Sequence, residues 1–312
     1  MSATATTPAE GSRRASRQAA GQPPARAKRR AWGGSPSDTP AGPLTYVALV
    51  VTLLLSAFPL YWMFVVGSST DEELAKLPPS VVPSSHFLDN MRDVFAEENA
   101  HFVSGLVNSL IVTVIVTISM LFFCSLAGFA FAKLKFPGRN VLLVLLIATL
   151  TIPNQLGQVA LYIIMNDWLH WNQQLAAVIV PGLVSAFGVF YMRQYIEEAI
   201  PDEIVEAARV DGASTFRIFW NVVLPTLRPA AGVLGLLTFV STWNDFQWPF
   251  IILFGGEHVT VQVSLSTLAS GQFIVYSRMM AAAVLASIPL LVVFVAAGKQ
   301  IVAGIMEGAV KS

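Results

Sequence analysis

The chain has 312 residues, 54% of them hydrophobic and only 12% charged, with no formal net charge at pH 7. Soluble domains carry roughly a quarter charged residues, so this composition excludes a nucleic-acid binder, a disordered regulator and an ordinary soluble enzyme. A lone cysteine, Cys124, excludes an intramolecular disulfide framework and a multi-cysteine metal site, which leaves an integral membrane protein.

Residues 1–43 are rich in Ala, Ser, Thr, Pro, Gly and Arg and have almost nothing to bury. Arg13, Arg14, Arg17, Arg26, Lys28, Arg29 and Arg30 sit here. Such a segment cannot offset its ordering entropy, so a disordered basic tail is predicted. Its simplest role is topogenic; specific binding of anionic lipid is the sharper alternative. A cleaved signal peptide fits poorly, because the apolar run starts late, lasts long and lacks a clear small-residue cleavage site.

From Leu44 to the end the chain reads as a single transmembrane domain, 44–312. Six apolar stretches, at 44–66, 105–132, 140–163, 174–194, 231–253 and 279–300, are each near the ~20 residues that a spanning helix needs. Their lack of alternation argues against barrel strands, so the fold is all-α with six transmembrane helices. Pro153, Pro181, Pro249 and Pro289 lie in or beside these runs, where local kinks rather than breaks are expected.

Basic residues orient the chain. The tail, Lys133, Lys135, Arg139, Arg193, Arg209, Arg217, Arg228, Lys299 and Lys311 fall on one side, 16 of the 19 in all. The opposite loops hold Lys76, Arg92 and Arg278, together with the acidic residues Asp71, Glu72, Glu73, Asp89, Asp93, Glu97 and Glu98. The positive-inside rule then predicts that both termini are cytoplasmic.

Between the fourth and fifth spans lies a loop of about 35 residues, 195–230, that is not linker-like in composition. Pro201 suits the first turn of a helix, where its missing N–H costs nothing. Asp202 and Glu203 follow, where the helix dipole favours negative charge. Ile204, Val205, Ala207 and Ala208 share a broad apolar arc, with Asp202, Glu206 and Arg209 opposite. Gly212 can stop the helix by taking positive φ. A second helical run, 214–223, is expected to end before Leu224-Pro225. A lipid-surface helix and a protein-docking helix both fit this pattern; the lack of lysines on the polar face tilts it towards a protein partner.

Glu206-Ala207-Ala208, then Gly212, Val222 and Leu224-Pro225, resembles the EAA loop of ABC importer permease subunits, with Val222 where the family usually has Ile. The likeness is strongest to the carbohydrate, MalG-like branch. It extends to Asn108-Ser109, the stretch 131–140, the stretch 152–155, the stretch 187–195, the stretch 243–250 and the terminal 308–311, covering roughly 45–311. It implies a bacterial cell-membrane subunit that forms half of a sugar path with a second, related permease. Cytoplasmic ATPase subunits would drive it, and an extracytoplasmic solute-binding protein would deliver the sugar. Glu206, Ala207, Ala208 and Gly212 would then carry ATPase coupling. The residues agree on the division of labour: no G-x-x-x-x-G-K-[ST] loop occurs in the chain, so ATP-derived work must come from another one. No catalytic residue, cofactor or metal site is assigned to the chain itself.

For contact with a sugar, Trp243, Asn244, Asp245, Gln247 and Trp248 form the densest polar and aromatic cluster. On one continuous helix the pairs 243/247 and 244/248 would share a face. Indole rings suit sugar C–H faces and amides suit hydroxyls; an interfacial aromatic belt and helix-bridging amides are the plainer alternative. Asp245 is costly in an apolar span and should face protein or water. Asn154, with Gln155 and Gln158, is expected to face the same cavity. His86, His101, His170 and His258 show no metal-ligand spacing, and Cys124 reads as a small buried residue. A non-sugar importer subunit and a self-sufficient secondary carrier are the competing readings. The carrier is disfavoured because Asp245 is essentially the one ionisable residue at midspan.

Overall fold

The computed structural model describes residues 42–270 and 274–310, except the side chains of 297 and 299–310. The basic tail up to residue 41, Lys311 and the side chain of Lys299 therefore lie outside the described residues. Among the described residues every regular element is helical: α1 (Pro43–Gly67), α2 (Asp71–Leu74), α3 (Phe87–Ala96), α4 (Phe102–Lys133), α5 (Arg139–Thr149), α6 (Gln158–Ile163), α7 (Ala176–Ile179), α8 (Ala186–Ala199), α9 (Asp202–Val210), α10 (Thr215–Ile218), α11 (Leu224–Thr226), α12 (Arg228–Trp243), α13 (Gln247–Leu253), α14 (Val261–Leu268) and α15 (Tyr276–Val310). Four runs are long and apolar enough to cross a membrane: Pro43–Gly67, Glu98–Lys133, Ala176–Ala199 and Tyr276–Ala296. Two bent pairs, 139–149 with 154–168 and 215–226 with 228–243, bring the number to six when each is taken as one span.

The prolines act more strongly than kinks. Pro153 stands at a break where the two halves of the third span meet at 96°. Its ring disfavours the helical conformation at Ile152 and supplies no N–H. Pro181 lies in a 3₁₀ turn after α7, and the chain is irregular up to Ser185, whose hydroxyl caps α8 by accepting from Gly188 N–H at 2.9 Å. Pro249 falls in the first turn of α13, after a break at 244–246. Only in α15 does a proline expected to kink a span, Pro289, sit inside an uninterrupted helix; Pro59 does the same in α1.

The chain divides into two compact units at Ser56–Ala57, inside α1. In the first unit, the described part of α1 presents exposed apolar side chains from Leu44 to Leu55. In the second, α4 is the axis of the bundle and packs on α8, α12 and α14. Three cores follow one another along α4. Phe102 packs with Phe239, Trp243, Val261 and Ala282. Val112 and Val116 pack with Ala177, Val178, Trp248 and Ile252. Met120, Cys124 and Phe129 pack with Val189, Met192, Ile196 and the loop residues described below.

Two glycines let α4 and α8 approach closely. A Cβ on Gly128 would lie 2.8 Å from Arg193 N, and one on Gly188 would lie 2.7 Å from Cys124 Sγ. Small residues at a crossing let backbones pack without lipid between them, which drives helix association in a membrane where the hydrophobic effect does not. Cys124 is fully buried in this crossing.

Candidate functional site

The loop between α8 and α12 is built of short helices packed on the bundle. α8 ends at Ala199, and only Ile200 and Pro201 separate it from α9. Pro201 takes an extended conformation (φ −57°, ψ 147°) and precedes the first turn, so the helix opens on Asp202, one residue later than the sequence suggests. At the other end, Gly212 has φ +80°. Gly212 N–H donates to Arg209 O at 3.0 Å and Ala213 N–H donates to Ala208 O at 2.9 Å. This pair of bonds is a Schellman cap, which satisfies carbonyls the helix leaves orphaned and needs the left-handed backbone that glycine adopts freely. Ala208 and Ala213, whose backbones share that bond, are both packed against the core.

α9 has one buried side chain, Val205, which joins the α4–α8 core. Burying a valine contributes about 1.5–3 kcal/mol. Ala208 of the apolar arc packs at the edge of that core, whereas Ile204 (47% exposed) and Ala207 point outward, as does Val210 (88% exposed). Glu206 is exposed beside this strip, with no ion-pair partner among the described residues. At the opening of α9, Asp202 Oδ1 accepts from Lys133 Nζ at 2.6 Å, and Lys133 is the last residue of α4. This hydrogen bond and the charge behind it, with smaller help from Lys135 and Arg139, hold the Asp202 carboxyl below the usual carboxylate range. Sequence reasoning missed this pair, because Lys133 and Asp202 are 69 residues apart.

The second helical run does not stop at Leu224-Pro225. Ser214 caps α10, accepting from Arg217 N–H at 3.3 Å. The helix then widens to a π-turn over Phe219–Val223 and continues through α11 to Thr226. The wider turn sits immediately before Pro225, whose ring would clash with a carbonyl of a regular helix. At Leu227 the chain bends by 76° into α12. Ile218, Phe219, Val223 and Leu227 are buried in the same core as Val205. With Ile200, the loop is thus fastened to the bundle by six buried apolar side chains, while Phe216 and Trp220 stack on its outer surface at 6.0 Å.

A cavity of about 480 Å³ lies beside the middle of α4. It is lined by Ser109, Thr113, Asn154, Gln155, Gln158, Ser241, Thr242, Asp245, Gln247, Trp248 and Thr260, with apolar walls from Val112, Val116 and Leu161. Among the described residues no Lys or Arg lines it. The hydroxyls of Thr113 and Thr260 are buried in this wall without a hydrogen-bond partner. Buried polar atoms are normally paired, so these two hydroxyls are unusual in standing unpaired just behind the cavity surface. Neither threonine stands out in the sequence: Thr113 is one polar residue in an apolar run, and Thr260 is one of several polar residues after the fifth span.

The fifth-span cluster is not one helical face. α12 ends at Trp243 and α13 starts at Gln247, so the four-residue spacing crosses a break. Trp243 is 2% exposed, stacks on Phe239 and donates from Nε1 to Ala286 O at 3.1 Å, away from the cavity lining. Asn244 is exposed and its Nδ2 returns to Val240 O at 2.9 Å. Trp248 lines the cavity while its indole N–H donates to Ala177 O at 3.0 Å. Asp245 also lines it, two residues before the start of α13. Asn154, Gln155 and Gln158 reach the same cavity from the broken third span.

This architecture has known counterparts. The family model described as binding-protein-dependent transport system inner membrane component matches residues 124–306, which include the loop, its core and α13. The chain belongs to that family. It is therefore a multi-pass inner-membrane permease subunit of a binding-protein-dependent importer, and ATP hydrolysis in this family belongs to a separate subunit. The arabinooligosaccharides transport system permease protein AraQ of Bacillus subtilis is 30% identical over 260 residues, 83% of this chain and 92% of its own length. The sn-glycerol-3-phosphate transport system permease protein UgpE of Yersinia enterocolitica is 29% identical over 269 residues, 84% of this chain and 95% of its own. A solved bacterial ABC transporter involved in the import of the acidic polysaccharide alginate has a chain of the same fold. Its TM-score is 0.71 at 23% identity, over 86% of this permease and 98% of that chain.

Proposed function

We propose that this permease subunit carries neutral sugars, delivered by an extracytoplasmic binding protein and driven by cytoplasmic ATPase subunits that dock on α9. The observation that carries the substrate class is the cavity: hydroxyls, amides and one acid line it, and among the described residues no base does. Hydroxyl and amide groups both donate and accept, as a sugar requires. A phosphate group calls for Arg, Lys or a helix N-terminus, and Asp245 would repel it. The oligosaccharide relative therefore supports the reading better than the glycerol phosphate relative does.

In this reading Asn154, Asp245, Gln247 and Trp248 contact the sugar, and Thr113 and Thr260 back the wall behind them. Trp243 holds α12 against α15, and Asn244 caps α12. A second, related permease supplies the facing half of the path. Glu206, Ala207, Ala208 and Gly212 serve coupling: Ala207 keeps the docking strip low, Glu206 offers a charge to a basic partner, and Ala208 and Gly212 form the helix cap. Both chain termini and α9 lie on the cytoplasmic side, and movement of the docked loop switches the bundle between its two access states.

The test is the ATPase activity of the reconstituted complex with its binding protein. Neutral oligosaccharides should stimulate hydrolysis, and glycerol 3-phosphate should not. Gln247→Ala and Asp245→Asn should reduce sugar uptake several-fold without loss of assembly. Stimulation by the phosphate ester alone would overturn the sugar assignment.

A further inference from the structure

We infer that Lys133 and Asp202 form a charge pin that makes α9 move as one body with α4, and that this pin carries motion between the cavity and the ATPase-facing loop. The inference rests on the reading of α9 as the coupling element. α9 is otherwise held by apolar packing and its cap. Ile200, which precedes it, and Val205 are buried, Ala208 and Ala213 pack on the same core, and Asp202, Glu203 and Ile204 are exposed. The Schellman cap secures only the far end. The Lys133–Asp202 pair ties the start of α9 to the end of a membrane-spanning helix.

The setting suits a permanent pair. Lys133 lies at the C-terminus of α4, where the helix dipole favours a cation, and Asp202 lies at the N-terminus of α9, where it favours an anion. The two partners are unequally exposed, at 4% for the Lys133 side chain and 76% for Asp202. The pin is therefore a buried ammonium with an outward acid closing over it. Removing the acid strands a buried cation, and such a cation must seek another partner or water. Lys135 and Arg139 also act on Asp202, but neither makes an ion pair with it. Glu197 on α8 is committed to Arg193 at 2.7 Å.

α4 also reaches the cavity. Ser109, Val112, Thr113 and Val116 line it, about 20 residues and so about 30 Å from Lys133 along one unbroken helix. One rod thus carries cavity wall at its middle and the pin at its end. A displacement of α9 is delivered to α4 directly by the pin, as well as through the apolar core under the loop. The pair is a positioning device, with no contact to substrate or nucleotide.

The experiment uses the full complex in proteoliposomes, with its binding protein and an oligosaccharide that the wild type takes up. Asp202→Asn keeps shape and removes the charge at an exposed position; Lys133→Met keeps the buried stem and removes the ammonium. Both variants should co-purify with the ATPase and hydrolyse ATP, while sugar taken up per ATP falls about fivefold, within the range by which residues between coupled sites change coupling. Asp202→Glu should retain most coupling, and Lys133→Glu combined with Asp202→Lys should recover more than either single charge reversal. Wild-type sugar per ATP in Asp202→Asn would overturn the pin. So would loss of ATPase co-purification in that variant, since the pin transmits and does not dock. Should Lys133→Met fail to insert, Asp202→Asn alone decides. Val210→Asp separates the underlying reading: wild-type association and stimulation there would mean that α9 is not the coupling element, whatever the pin variants do.

Discussion

Gly212 shows how a single residue sets the geometry of the loop. Its φ of +80° is strained for any side chain, yet a Cβ there would meet nothing within 4 Å. The demand is therefore on the backbone and not on space. Gly212→Val should cost about 1–2 kcal/mol in the left-handed region and shift the end of α9, whereas Gly212→Asn should be far milder, because asparagine visits that region. Substrate-stimulated ATPase activity and uptake should fall in the valine variant and stay near wild type in the asparagine variant. Equal loss in both would mean that the position matters for contact rather than conformation. Gly128 and Gly188 make the opposite demand. Their backbones are helical, but an added Cβ would collide with α8 or with Cys124. The demand at Gly212 is legible from its place just past the helix, whereas those at Gly128 and Gly188 depend on which helices cross there.

At the scale of the element, α9 divides its apolar arc between two uses. Val205 is buried in the bundle core, and Ile204, Ala207 and Val210 face out. The sequence shows the arc through its 3.6-residue spacing, but no periodicity says which half of an arc is covered. Paired substitutions separate the uses. Val205→Asp places a charge in an apolar core and should destabilise the whole loop, lowering the melting temperature of the purified permease. Val210→Asp lies on the 88% exposed edge, so the permease should keep its melting temperature and lose co-purification with the ATPase. A melting temperature lowered equally by both would show that the outer strip is also structural. The fifth span gives the same lesson in reverse. An unbroken apolar run of the right length looked like one helix, and the break at 244–246 sends Trp243 and Trp248 into different cores.

For the whole molecule, the basic asymmetry predicts which end faces the cytoplasm. Lys133, Lys135, Arg139, Arg193, Arg209, Arg217 and Arg228 gather around the loop, and the acidic loops between α1 and α4 lie at the other end of α4. Single cysteines at the exposed positions Ser85 and Glu257 should react with an impermeant thiol reagent from outside intact cells, and one at Ser214 should react only after permeabilisation. Cys124 is fully buried and should stay silent. External labelling at 214 would reverse the orientation and place α9 away from any cytoplasmic ATPase.

The sequence by itself determined that this is a helical membrane protein, where its apolar runs fall, and that residues 201–212 form a capped helix at the basic end. These are local matters of composition, run length, helical spacing and cap chemistry, each satisfied within about a dozen residues. Only the tertiary structure decided how the proline-marked runs break, which polar residues meet in a cavity, and what holds α9. Thr113, Asn154, Asp245 and Thr260 converge from four separate segments, and Lys133 finds Asp202 across 69 residues. The physical reason is that an apolar run can be buried against many partners at nearly equal free energy. Close packing between particular helices, at glycines such as Gly128 and Gly188, selects one arrangement and with it the polar groups that face each other.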